Sequence, residues 1–470
     1  MKKRIAIIGG GIAGNAILHH MINHPNFDDS FRIDIFDLKD RMGRGKPYIE
    51  DSEVLLLNIP SEEMSFTNGP YSFVEWLNRE NLPVHNYNSR KHFGHYSSDM
   101  FQRAVGKHSN VQLINERVAD VVYNEERESY TVISEFKTEE YDAVFLTVGQ
   151  LSYNDPYKLE GVKNNIHNPY PLNHTVTDVD GSIGVIGTGL SAIDCVRYLI
   201  MEQSVDEVHL FSRSGDMPSV RGTSHYFDIK YFTEEKVYTY IEDDLISLDK
   251  IIELFRKEMA EQGVDEKLFY RHPESTLDDL KLDIRHKNEV GKLQYLIITV
   301  NPLFSRVFPY FSKSDKERFM NEIHPLIDKN HSPMPLEVAH QLVKWAEAGR
   351  VIVVDGIEEV GTGVQFEVRT DEDETFKVDY LINATGPIKD ITKEKTPLIV
   401  NMINRMLIAP SELGGLIVDK EHRVISPRYG TLHHMYAIGH LTFSSDYMSN
   451  TVNILVQNTK VMVESIMENQ

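Results

Sequence analysis

The sequence predicts an α/β fold: two Rossmann-like units, the second inserted into the first, with a helical insertion inside the second. Three observations carry this. An apolar strand, a glycine-rich turn and a helical pattern follow one another over residues 4–23, and the same order returns over 182–201. Between the second of these openings and the later strands lies a long charged stretch of helical period.

In chain order, Arg4–Ile8 reads as a strand, a helix runs to about Asn23, and Arg32–Phe36 reads as the next strand. From about Gly43 to Gly69 the Gly, Pro and Asn punctuation predicts loop. A strand-rich stretch then runs from Val111 through the alternating Val132–Phe136 to Ala143–Val148 and ends in Gly149. After a Pro- and Asn-rich connection, Ser182–Ile186, Leu190–Met201 and Glu207–Phe211 repeat strand, helix, strand. Segment 216–345 is mostly helical in period and broken by prolines. Strands return at Val351–Val354, Val364–Thr370 and Tyr380–Asn383, and Thr451–Met467 reads as a closing helix. The expected domains are 1–155 with 388–470, then 156–215 with 346–387, and the insertion 216–345.

Composition narrows the function classes. Forty-nine Lys and Arg against 71 Asp and Glu leave a formal charge of −22. Such a surface repels phosphate backbones, so no nucleic-acid partner is expected, and any bound anion must be held by local devices such as helix N-termini or single cations. The single cysteine, Cys195, excludes an intrachain disulfide and a redox-active CxxC pair. The basic and apolar opening resembles a secretory leader, but its glycines and His19-His20 break that pattern. No run of about 18 apolar residues occurs, so no membrane partner and a cytoplasmic location are expected.

Gly9-Gly-Gly11-Ile12-Ala13-Gly14 is G-x-G-x-x-G between a strand and a helix. Gly9 permits the tight turn, Gly11 admits a pyrophosphate, and Gly14 lets helix and strand pack closely. The free N–H groups and dipole of the helix then meet the phosphate charge. Asp37 ends the second strand, where a carboxylate accepts from the adenosine ribose; the polar insert His24–Ser30 lengthens its spacing from the glycines. In the second opening, Gly187-Thr-Gly189-Leu190-Ser191-Ala192 repeats the turn. After its next strand stands Ser212-Arg213-Ser214, where an NAD site carries an acid. An arginine between hydroxyls suits a 2′-phosphate, so NADPH is favoured over NADH.

These two motifs, with Ala384-Thr385-Gly386 and Tyr436-Ala-Ile-Gly439, resemble the two-dinucleotide-binding-domain flavoproteins. More narrowly, Gly43-Arg-Gly-Lys-Pro-Tyr48 and Leu55-Leu-Leu-Asn-Ile-Pro60 resemble the bacterial FAD-NAD(P)-binding family, related to N-hydroxylating and Baeyer–Villiger monooxygenases. The resemblance implies FAD on the first site and NADPH on the second. It implies Gly43, Arg44, Tyr48 and Asn58 in loops around the flavin or its pyrophosphate, and Val118 at the adenine. It also places Gly149 at the end of an FAD-domain strand and Gly439 beside the ribityl chain. Two departures stand out: His440 follows Gly439 where many relatives carry an acid, and the Baeyer–Villiger fingerprint F-x-G-x-x-x-H-x-x-x-W is absent.

No catalytic triad or zinc motif is present, as expected where cofactors carry the chemistry. His85, His92 and His95 read as loop or partly buried histidines rather than metal ligands. His331, with Arg271, His272, Arg285 and His286, reads as a solvated face before a substrate cleft, and Tyr226, Phe227, Tyr231, Phe232 and Tyr238 as packing. His433-His434 is weighed for the flavin edge, with a structural role favoured. The expected function is an NADPH-dependent FAD oxidoreductase. Its electrons pass to oxygen or an organic acceptor, and relatedness leans toward a monooxygenase of a small molecule. The rival is a non-catalytic sensor that binds the same cofactors. Homo-oligomerisation stays open.

Overall fold

The computed structural model describes residues 3–67, 69–270, 275–412, 414–443 and 451–468. Two compact units emerge, Met1–Asn154 with Pro387–Gln470, and Asp155–Gly386.

In the first unit, a six-stranded sheet runs in the order Arg423–Ser426, Gly430–Ala437, Ala143–Leu146, Lys3–Ile8, Phe31–Phe36, Val111–Ile114. Only the Arg423–Ser426 edge is antiparallel. The central strand is buried on both faces, which explains its unbroken apolar run. Period 2 divides it: Ile5 and Ile7 join a core with Ile17, Met21, Phe145 and Met462, while Ala6 and Ile8 join one with Val121, Val132 and Met402. The first core lies under the helices Ile12–Ile22 and Val452–Glu468. The second lies under an antiparallel three-stranded sheet, Val118–Asn124, Ser129–Ser134 and Thr138–Tyr141.

In the second unit, five parallel strands run Val351–Val354, Val208–Phe211, Ile183–Ile186, Tyr380–Asn383, Asn165–Ile166. The helix Leu190–Met201 follows the strand Ile183–Ile186, and a three-stranded antiparallel sheet covers residues 357–378. The region 216–345 is helical, and its longest helix, Lys287–Val307, carries Pro302 inside it.

Three helices of the first unit escape the sequence reading. The helices Phe73–Arg79 and Arg90–Gly106 lie in the stretch between Gly69 and Val111 that received no assignment. Gly94 and the paired serines hide the second, whose buried Phe93, Tyr96, Met100, Phe101 and Ala104 still follow helical spacing. The third, Pro397–Asn404, sits within 388–470, ahead of the closing helix. The helix Leu336–Glu347 also runs through the expected boundary at 345.

Candidate dinucleotide sites

The first glycine turn is closed by backbone from distant parts of the chain. Gly9 has φ +111, and a Cβ there would stand 2.2 Å from the Thr147 carbonyl oxygen. Its own carbonyl accepts from Thr147 Oγ1 at 2.6 Å. A Cβ on Gly14 would lie 2.1 Å from the Gly9 oxygen, so helix and strand meet at a distance only glycine permits. Gly11 is the N-cap of Ile12–Ile22 and supplies no side-chain cap, in contrast to the serines that cap Phe73–Arg79 and Arg90–Gly106. Thus no capping side chain claims the first-turn N–H groups of Ile12 and Ala13, the arrangement a pyrophosphate needs. Asp37 is partly buried and its carboxyl is raised by that burial, against hydrogen bonds from the N–H groups of Gly10 and Leu38, both at 2.8 Å.

The loop after Asp37 folds back onto this turn. Gly43 N–H donates to the Gly10 carbonyl at 2.6 Å. The Gly43 carbonyl accepts from Asn15 Nδ2 at 3.3 Å and from the Ser97 hydroxyl. Asn15 and Ser97 are buried and hold the loop in place. Neither was singled out from sequence, although a polar residue on the buried face of an apolar helix is a legible signal. Arg44 Nε donates to Ser98 Oγ at 3.0 Å. Tyr48 packs edge-on to Phe93, and burial pushes its hydroxyl up to about 12. A Cβ on Gly94 would meet the Tyr48 backbone carbonyl oxygen at 2.0 Å, which explains a glycine inside a helix. Asn58 Oδ1 lies 3.5 Å from a guanidinium nitrogen of Arg90, whose Nε donates to the Leu56 carbonyl.

Val118 opens the strand Val118–Asn124 and is buried. Gly149 and Gly439 have φ +73 and +87, and a Cβ on either would meet nothing within 4 Å. These are open cradles in which backbone is exposed to an incoming group, as a dinucleotide fold requires. His440 follows Gly439 in a short 3₁₀ turn, and burial first, then the charge of Lys46, hold its imidazole down to about 4.

The second turn is built alike but more openly. Gly187 has φ +118, and a Cβ there would lie 2.9 Å from the Ala384 oxygen. Gly189 is the uncapped N-cap of Leu190–Met201, with Leu190 and Ser191 in its first turn, and a Cβ on Gly189 would meet nothing within 4 Å. Arg213 is exposed and forms no ion pair among the described residues. Its carbonyl accepts from Gly356 N–H at 3.2 Å, which fixes the turn and leaves the guanidinium outward. Thr385 Oγ1 donates to Asn383 Oδ1 at 2.8 Å, and Gly386 has φ +76 with open space around it. Both sites therefore fit the phosphate ends of dinucleotides: bare helix N-termini, glycine cradles and, at Arg213, an unpaired cation.

The other candidates separate. Among the described residues no group of three His, Cys, Asp or Glu is placed to hold a metal ion. His92 and His95 lie partly buried on the helix Arg90–Gly106 rather than in a loop, and His95 Nε2 meets Glu50 at 2.8 Å. His331 is buried, not a solvated face, and its imidazole is held down to about 4 by that burial. Arg285 and His286 are exposed, and Arg271 and His272 lie outside the described residues. Of the aromatic group, Phe232 lines an apolar cavity of about 40 Å³ with Phe255, Phe304 and Phe319, whereas Tyr226 is 82% exposed. His433 and His434 lie on the strand Gly430–Ala437, where Tyr130 donates its hydroxyl to the His433 carbonyl. No helix among the described residues is long and apolar enough to cross a membrane.

Residues 6–151 match the model of the FAD-NAD(P)-binding family. No curated protein matches the chain. Among solved structures, it is similar to ornithine hydroxylase from Pseudomonas aeruginosa, at 14% identity and a TM-score of 0.61 over 99% of each chain. It is similar to the ornithine N-hydroxylase of Kutzneria sp. 744, at 17% identity and a TM-score of 0.60 over 100% of this chain and 99% of that one. L-lysine 6-monooxygenase from Pseudomonas syringae aligns at 13% identity and a TM-score of 0.60, again over 100% and 99%. The chain has the fold of these hydroxylases, and its residues 6–151 match the FAD-NAD(P)-binding family model.

Proposed function

We propose that this chain is an NADPH-dependent flavin monooxygenase of a small molecule, with FAD on the first site and NADPH on the second. The observation that carries the reading is the pair of strand–glycine turn–helix sites with uncapped helix N-termini at Gly11 and Gly189. Support comes from the fold, which runs along nearly the whole length of ornithine and lysine hydroxylases. A bound flavin supplies two-electron chemistry that the side chains themselves lack.

The chain contributes binding, orientation and exclusion of water. The N–H groups of Ile12 and Ala13 meet the FAD pyrophosphate, and Asp37 accepts from the adenosine ribose. Gly43, Arg44, Tyr48 and Asn58 form loops around the flavin or its pyrophosphate, with Val118 at the adenine. Gly439 leaves room for the ribityl chain, and Gly149 follows an FAD-domain strand. On the second site, Leu190 and Ser191 meet the NADPH pyrophosphate, Arg213 the 2′-phosphate, and Thr385 and Gly386 the turn beside it. In the overall reaction NADPH, a proton, oxygen and substrate give NADP⁺, hydroxylated substrate and water. One oxygen atom enters the substrate and the other leaves as water.

The test is anaerobic stopped-flow reduction of the purified FAD-loaded protein by NADPH and by NADH, followed by mixing with oxygenated buffer. L-ornithine and L-lysine are the first substrates to try. Rapid bleaching by NADPH and a hydroxylated product support the reading. A flavin that stays oxidised with both nucleotides sinks it and leaves the sensor.

A further inference from the structure

Among the described residues Lys46 is a partly buried cation without a counter-ion. It opens the turn Lys46–Tyr48, directly after Gly45, whose Cα lies 3.2 Å from where a Cβ on Gly11 would stand. Its Nζ donates to the Gln150 carbonyl at 3.1 Å, one residue beyond the open cradle at Gly149. Its charge also reaches His440, one residue beyond the open cradle at Gly439. Lys46 therefore stands where the three chain segments of the first site converge.

Among the described residues Lys46 forms no ion pair, although the chain carries a charge of −22. The carboxylates within electrostatic range, Glu394 and Asp37, are engaged elsewhere. Glu394 accepts from the N–H and hydroxyl of Ser152 and from the N–H groups of Lys395 and Thr396. Asp37 accepts from Gly10 and Leu38. Arg41 and Arg117 add positive charge, and burial, then Arg41, push the Lys46 ammonium down. The His440 imidazole, held down to about 4, is neutral at neutral pH. A desolvated cation beside a neutral donor is a costly arrangement unless an anion completes it. The helix end at Gly11 supplies the equivalent of roughly +0.5 charge, well short of a doubly charged pyrophosphate.

We propose that Lys46 and His440 hold the FAD pyrophosphate together, Lys46 as its counter-charge and His440 as a neutral hydrogen-bond donor. This rests on the reading of the first site as an FAD site.

The experiment measures FAD and riboflavin dissociation constants, with the flavin midpoint potential, for the full-length protein and for Lys46→Met, Lys46→Arg and His440→Asp. Lys46→Met is expected to weaken FAD binding about ten- to a hundredfold, the range of a lost charge-assisted hydrogen bond, with riboflavin affinity unchanged. Lys46→Arg restores most of the affinity, and His440→Asp weakens it by like-charge repulsion. FAD affinity unchanged in Lys46→Met overturns the proposal, as does a loss shared equally by riboflavin. A shifted potential at unchanged affinity overturns it too, by placing Lys46 at the isoalloxazine. Tighter FAD binding in His440→Asp removes His440 from the pair. A parent protein that binds no FAD fails the underlying reading instead.

Discussion

At Gly14 a Cβ would stand 2.1 Å from a backbone oxygen, whereas the second unit accommodates an actual Cβ at the matching Ala192, fully buried. The same contrast runs through both turns. Gly9 is hemmed in at 2.2 Å by Thr147 and Gly187 at 2.9 Å by Ala384. Gly11 faces Gly45, while Gly189 faces open space. The acid after the first unit's second strand has both oxygens engaged, and the arginine after the second unit's is exposed. One turn is locked by remote segments and the other is set mostly by its own strand and helix. Under the proposed function, the difference matches an FAD that stays bound against an NADPH that exchanges in every cycle.

The largest expected effect tests the locking directly. Gly9→Ala combines a backbone overlap with a left-handed φ and should destabilise the first unit by about 3 kcal/mol or more. Gly187→Ala, with the looser contact, should cost roughly 1–2 kcal/mol less. Urea melts of both variants check the order, and equal losses would break the contrast. Next, Arg213→Ala should weaken NADPH binding by about 1.5–3 kcal/mol and leave NADH untouched, read by titration calorimetry. Loss of both nucleotides alike would remove the 2′-phosphate role.

Acid should act unevenly. His19 and His440 in the first unit and His331 in the second are each held down to about 4, mainly by burial. Burial also lowers His20, His92 and His434, all in the first unit. Each unfolded imidazole takes its proton near 6.5, so between about 6.5 and 4 the unfolded state binds more protons. Their contribution is complete above 6.5 and is lost as pH falls through that window. Hydrogen exchange at pH 7 and pH 5 should show the first unit loosening more than the second, and uniform loosening would contradict it. The smallest effect belongs to Gly189→Ala. With nothing within 4 Å of the new Cβ, stability should move by under about 0.5 kcal/mol in a thermal melt, while the NADPH KM rises.

Some of this was legible in the residues. The glycine turns, the strands beside them and the helix Leu190–Met201 follow from period and punctuation, because both are local properties of a few consecutive residues. The helix Arg90–Gly106 did not, since Gly94 breaks its pattern for a reason located in Tyr48. His331 looked like a surface residue because its neighbours in sequence are polar, yet the fold buries it. Asn15, Ser97 and Lys46 were passed over for a related cause: each acts on a partner dozens of residues away.

The sequence by itself determined that this is an α/β chain with two strand–glycine turn–helix units, because strand, turn and helix are short-range consequences of side-chain spacing. Only the tertiary structure decided how tightly each turn is closed and which charges remain unpaired beside it. Those depend on Thr147, Gln150 and His440 meeting residues 9–46 and on Ala384 meeting Gly187, and no local pattern encodes such a meeting.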